Sequence, residues 1–126
     1  MLNLKSKPPT TLNDAIATIV AGLTPEEVKY IQDNNDSGGI HHGVGTAIRN
    51  GWSLWEKDSP LVKDIRARFD VSHGDDCSGL IFTGVWATVR GGDVDRDLKA
   101  QAKSYLRHWK KSGVDQHTGE PLEQCN

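Results

Sequence analysis

Between His41 and Trp55 the chain reads His-His-Gly-Val-Gly-Thr-Ala-Ile-Arg-Asn-Gly-Trp-Ser-Leu-Trp, placing two imidazoles, a guanidinium and two tryptophans close together. A second cluster follows at His73-Gly74-Asp75-Asp76-Cys77-Ser78-Gly79. The first offers a cation, imidazoles and aromatic surface; the second offers paired carboxylates beside a thiol and a hydroxyl. Such groups either pair with one another inside a fold or face outward to hold a ligand.

Arg49, followed by Asn50, can clamp a carboxylate or a phosphate through two parallel hydrogen bonds. The simpler expectation is an internal latch, with Arg49 paired to Asp75 or Asp76, because an arginine beside buried tryptophans needs an internal partner. The competing expectation is an anionic ligand held by Arg49 and His41 against Trp52 or Trp55. His41 and His42, with Asp75, Asp76, His73 or Cys77, supply ligand types that suit zinc. Their spacing matches no metal signature, and no cofactor is called for. Asp75, Asp76, Cys77 and Ser78 contain a base and two nucleophiles but no catalytic motif in its usual context. Asp75 or Asp76 serves more simply as a helix cap, with Ser78 satisfying first-turn groups. Cys77 reads as a small buried hydrophobe. The tryptophans Trp52, Trp55, Trp86 and Trp109 all fall on apolar phases, so core packing is their first reading. Their N–H groups then need acceptors such as Asp75, Asp76 or Asn50.

The elements that must position these residues read as helices. Thr10 or Thr11 caps a first helix carrying Leu12, Ala15, Ile16, Ile19 and Val20 at three-four spacing. Thr24-Pro25-Glu26-Glu27 is a restart signal, with a capping box between Thr24 and Glu27. A third helix is expected from about Ile40 to Asn50, and a fourth from Ser59-Pro60 carrying Leu61, Val62, Ile65 and Phe69. A fifth runs from the Asp75-Asp76 cap to Gly91-Gly92, although Ile81, Phe82, Val85 and Val89 are also good strand formers. The sixth holds Leu98, Ala102, Tyr105, Leu106 and Trp109 and closes at Gly113. The expected fold is therefore all-α: a compact single-domain bundle of five to six helices over residues 10–113. Residues 1–9 form an N-terminal arm and residues 114–126 a mobile polar tail. Leu12, Ile16, Ile19, Ile48, Leu54, Ile65, Ile81, Trp86, Leu106 and Trp109 are the expected core.

The 126 residues suffice for one domain, and 36% hydrophobic with 25% charged residues describes an ordinary globular protein. A formal net charge of −2 gives no footprint for direct nucleic-acid binding. Two cysteines make no disulfide framework and no CxxC motif, and no apolar run approaches membrane-spanning length. The N-terminus lacks the apolar stretch of a signal peptide, so a cytoplasmic protein is expected.

The pattern His41-x-Gly43-x-Gly45-x-x-Ile48-Arg49-Asn50-x-Trp52-x-Leu54-Trp55, followed by Asp75-Asp76-x-Ser78-Gly79-x-Ile81 and Trp86, resembles an uncharacterised family of small bacterial and phage proteins. The likeness runs over roughly residues 12–110. The family brings no activity with it, and Cys77 stands where an apolar residue is usual there, which argues against thiol chemistry. What the resemblance implies is phage or mobile-element biology. The functional expectation is thus a non-enzymatic protein that binds and modulates a host or bacterial protein partner, plausible for a phage-encoded inhibitor of a host defence system. The two alternatives are a module for an anionic small molecule such as a nucleotide, and a metal-dependent hydrolase using His41, His42, Asp75 and Asp76.

Overall fold

The computed structural model describes residues 8–33, 51–52, 54–56 and 58–121. Five helices are defined among them: α1 (Leu12–Gly22), α2 (Pro25–Asp33), α3 (Pro60–Phe69), α4 (Gly74–Arg90) and α5 (Val94–Ser112). The all-α expectation holds. The third helix expected around Ile40–Asn50, and with it Ile48, lies outside the described residues.

Local chemistry explains where each helix begins. The Thr11 hydroxyl accepts the Asp14 amide at 3.1 Å, and the Leu12 amide donates across the fold to Asp64 Oδ2 at 2.8 Å. At α2 the capping box is reciprocal: Thr24 N–H donates to Glu27 Oε1 at 2.9 Å and Glu27 N–H to Thr24 Oγ1 at 3.2 Å. Ser59 caps α3, with Pro60 in the first turn, where a missing N–H costs nothing. Asp93 caps α5 by accepting the Arg96 amide at 3.0 Å. Gly91 and Gly113 end α4 and α5 with φ of 72° and 77°, a left-handed conformation that suits glycine.

Helix α4 is the centre of the bundle, and α1, α2 and α5 pack on it. Its strand-forming residues are helical because they are buried on nearly every side: Leu80, Ile81, Phe82, Val85 and Trp86 all face neighbouring elements. Small residues let those neighbours close in. A Cβ on Gly84 would lie 2.1 Å from Ile16 Cδ1 of α1, and one on Gly79 only 1.9 Å from the Tyr105 hydroxyl of α5.

Leu12, Ile16, Ile19, Leu54, Ile65, Ile81 and Trp86 are buried as expected. Leu106 and Trp109 are only partly so. Helix α5 presents one stripe to α4, and full burial stops at Leu98 and Ala102, leaving its last turns on the rim.

The end of the domain also differs from expectation. Residues 114–121, read from composition as the start of a mobile tail, fold back on the α3–α4 corner. A bridge joins Val114 to Pro121, and Asp115 N–H donates to the Glu120 carbonyl at 2.8 Å. Gln116 is buried; its side-chain oxygen accepts Ser72 N–H at 3.1 Å and its amide donates to the Asp70 carbonyl at 3.1 Å. Polar composition hid this segment because its anchoring is by hydrogen bonds to backbone, not by apolar burial.

Candidate functional site

Trp55, the last residue of the first sequence cluster, meets the second at the start of α4. Trp52 and Leu54 enter the core, at 2% and 0% exposure, while Trp55 stands 51% exposed. Trp55 therefore departs from the core placement that its apolar phase suggested. Its indole packs closely against Gly74, where a Cβ would come within 2.5 Å of Trp55 Cε3. Only glycine admits this contact. The ring is thus seated against the helix terminus while about half of the residue stays open to solvent.

His73 is the hinge of the arrangement, although the sequence suggested it only as one of several metal-ligand types. It, and not Asp75 or Asp76, is the N-cap of α4, its Nδ1 accepting the Asp75 amide at 3.3 Å. Its ring meets Trp55 edge-on, with centroids 5.5 Å apart and planes at 87°. On its other side it lies 5.2 Å from the ring of Trp109, at 46°. Trp109 in turn donates its indole N–H to Asp76 Oδ2 at 2.7 Å. The expectation that these indoles need a carboxylate acceptor is met here. A cap histidine gives no sequence signal, since Ser, Thr, Asp and Asn are the usual capping residues.

The remaining candidates divide by access. Asp75 is exposed, and Asp76 is half-buried under Trp109. Ser78 is fully buried and its hydroxyl donates back to the Asp75 carbonyl at 2.9 Å, as a first-turn serine does. Cys77 is a buried thiol in no disulfide, with no exposure, the small hydrophobe that was expected. Tyr105, behind Asp76, has its hydroxyl pushed up to about 12 by burial, opposed by a hydrogen bond with Gln101 and reinforced by Asp76, Cys77 and Asp75. His41, His42, Arg49 and Asn50 lie outside the described residues, and so do the Arg49 latch and the metal site built on the histidine pair. Among the described residues, no group of three or more His, Cys, Asp or Glu side chains could hold a metal ion.

A second polar constellation joins the C-terminal turn to the α3–α4 corner. His117 Nδ1 pairs with Ser72 Oγ, and His117 Nε2 lies 2.9 Å from Asp70 Oδ1. The residue types are those of a hydrolytic triad, but the order of access is inverted. In a triad the serine must reach substrate while the carboxylate is buried behind the histidine. Here Ser72 is 1% exposed and the Asp70 side chain 71%. With Gln116, these groups form a clasp. It holds Asp70 at a left-handed φ of 59°, unusual for a residue with a Cβ.

A family model described as "Domain of unknown function (DUF6794)" matches residues 8–89, and the chain belongs to that family. The match takes in Trp52, Trp55, His73, Asp75, Asp76 and Ser78 and ends before α5, short of the residue 110 that the motif resemblance reached. No curated protein and no solved structure matches the chain. Among the described residues no helix is long and apolar enough to cross a membrane.

Proposed function

We propose that this is a non-enzymatic binding protein that contacts a protein partner through the surface centred on Trp55. The observation that carries the reading is a tryptophan 51% exposed yet seated on Gly74 and edged by His73. Tryptophan is enriched among the residues that dominate protein interfaces, and a side chain already held in place loses little entropy on binding. Within this reading the protein is a cytoplasmic, phage-encoded inhibitor that occupies and blocks a host defence protein. The motif resemblance to small proteins of bacteria and phages supports that finer assignment.

For the nucleotide reading, Trp52 is buried and cannot stack with a base, which leaves the exposed Trp55, while Arg49 and His41 lie outside the described residues. The metal-dependent hydrolase reading rests on His41 and His42, which lie outside the described residues, together with Asp75 and Asp76.

The test is affinity capture from bacterial lysate with the intact chain and with Trp55→Ala, followed by reconstitution of the captured protein with purified chain. A stoichiometric complex that Trp55→Ala weakens at least tenfold is expected. Native mass measurement showing a copurified nucleotide or metal ion, with no protein retained, would replace this reading with one of the other two.

A further inference from the structure

The surface next to Trp55 carries information about the partner's chemistry. Pro9, Trp52, Glu56, Asp58, Pro60 and Leu61 line a cavity of about 420 Å³ just ahead of α3. Its walls are mainly proline rings, an indole and a leucine, with Thr10 and Ser59 adding polar groups. The ionisable groups in its lining are Glu56 and Asp58, both carboxylates and both exposed. Among the described residues neither belongs to an ion pair. Lys57, between them in sequence, lies outside the described residues. Glu56 directly follows Trp55, so the cavity and the open indole adjoin along the chain.

Resting on the reading that Trp55 marks a protein-contact surface, we infer that the partner presents a basic segment here and seats a lysine or arginine side chain in the cavity. Apolar walls with anionic groups at the edge suit a long aliphatic stem ending in a cation. The exposed indole of Trp55, the residue preceding Glu56, is a second feature that favours a cation on the same partner segment. An acidic segment would be repelled by Glu56 and Asp58. A purely apolar one would strip water from two carboxylates without replacing it.

The experiment is selection of random short peptides, displayed on a particle, against the immobilised full chain. Parallel selections use Trp55→Ala and the double variant Glu56→Gln, Asp58→Asn; all three positions are exposed, and circular dichroism confirms that each variant keeps its helices. Enrichment of peptides bearing lysine or arginine is expected, with affinity about tenfold lower for the neutralised double variant and falling as salt rises. Enrichment of apolar or acidic peptides that still depend on Trp55 would overturn the basic-partner inference and leave the contact surface standing. Peptides that bind equally well to Trp55→Ala, or no enrichment at all, would sink both. Dimers in native mass measurement that the double variant abolishes, without basic peptides being selected, would assign the cavity to a second copy of the chain.

Discussion

The indole N–H of Trp109, in the last turns of α5, donates to Asp76 Oδ2 in the first turn of α4 at 2.7 Å. This bond ties the end of one helix to the beginning of the other and fixes their antiparallel register together with the Gly79–Tyr105 contact. It also orients the ring that backs His73, which in turn edges Trp55. Trp109→Phe keeps most of the apolar ring and removes the donor, leaving a half-buried carboxylate without its partner. A loss of about 1–3 kcal/mol in urea unfolding is expected, the range for a hydrogen bond to a charged acceptor. An unchanged midpoint would show that the bond contributes nothing net.

Gly79→Ala places a methyl where the Tyr105 hydroxyl now lies, 1.9 Å from the ideal Cβ position. On an open helix this substitution gains about 1 kcal/mol from propensity. Against Tyr105 the overpacking cost of about 1–3 kcal/mol wins, and the variant should be less stable. Tyr105→Phe removes the offending oxygen, so the double variant should recover part of the loss. Strict additivity in the double-mutant cycle would refute the contact.

Tyr105 also predicts alkaline behaviour. Its hydroxyl is raised from 10.0 to about 12 in the folded chain, mainly by burial. A group raised on folding binds its proton more tightly in the native state, so its contribution is whole below pH 10 and drains away as pH climbs towards 12. Stability measured by denaturant should fall over that interval, and Tyr105→Phe should flatten the part due to this residue. Tyrosinate absorbance of the native chain should likewise lose its late-ionising component in Tyr105→Phe. Identical alkaline profiles for the two chains would refute the assignment.

Gln116 supplies the acceptor for a buried backbone amide, Ser72 N–H. Gln116→Ala orphans that donor and should cost about 1–3 kcal/mol. Removal of residues 114–126 should cost at least as much, since it takes His117 away from Ser72 and Asp70 as well. Hydrogen exchange at Ser72 is the direct check: protection in the intact chain, and fast exchange in either variant. A truncated chain with full stability would restore the reading of this segment as dispensable.

Local signals in the sequence located the helices well. Thr24 and Glu27, Ser59 and Pro60, Gly91 and Gly113 each act within a few residues of themselves, so spacing alone exposes them. Apolar periodicity likewise found Leu12, Ile16, Ile65 and Ile81. It could not tell that Trp52 turns inward and Trp55 outward, because both sit in one short segment whose placement depends on α4. His73 and Gln116 were illegible for a related reason. Their roles come from partners 36 and 44 positions away, as Trp109 and Ser72, and neither residue type advertises such a bond. The Asp76 acceptor was legible only as a requirement of the buried indoles, not as an address.

The clasp at Asp70, Ser72, Gln116 and His117 sets an order on biosynthesis. The corner between α3 and α4 is made before α5, yet the groups that satisfy its inward-facing amide emerge only after α5 has been made. A nascent chain leaving the ribosome carries this corner open, with the Ser72 amide still held by water. Helices α1 to α4 can gather around their apolar residues in that interval, but the joint at the start of α4 is locked only by the segment that follows α5. Completion of the fold at this corner therefore waits on the segment that follows α5.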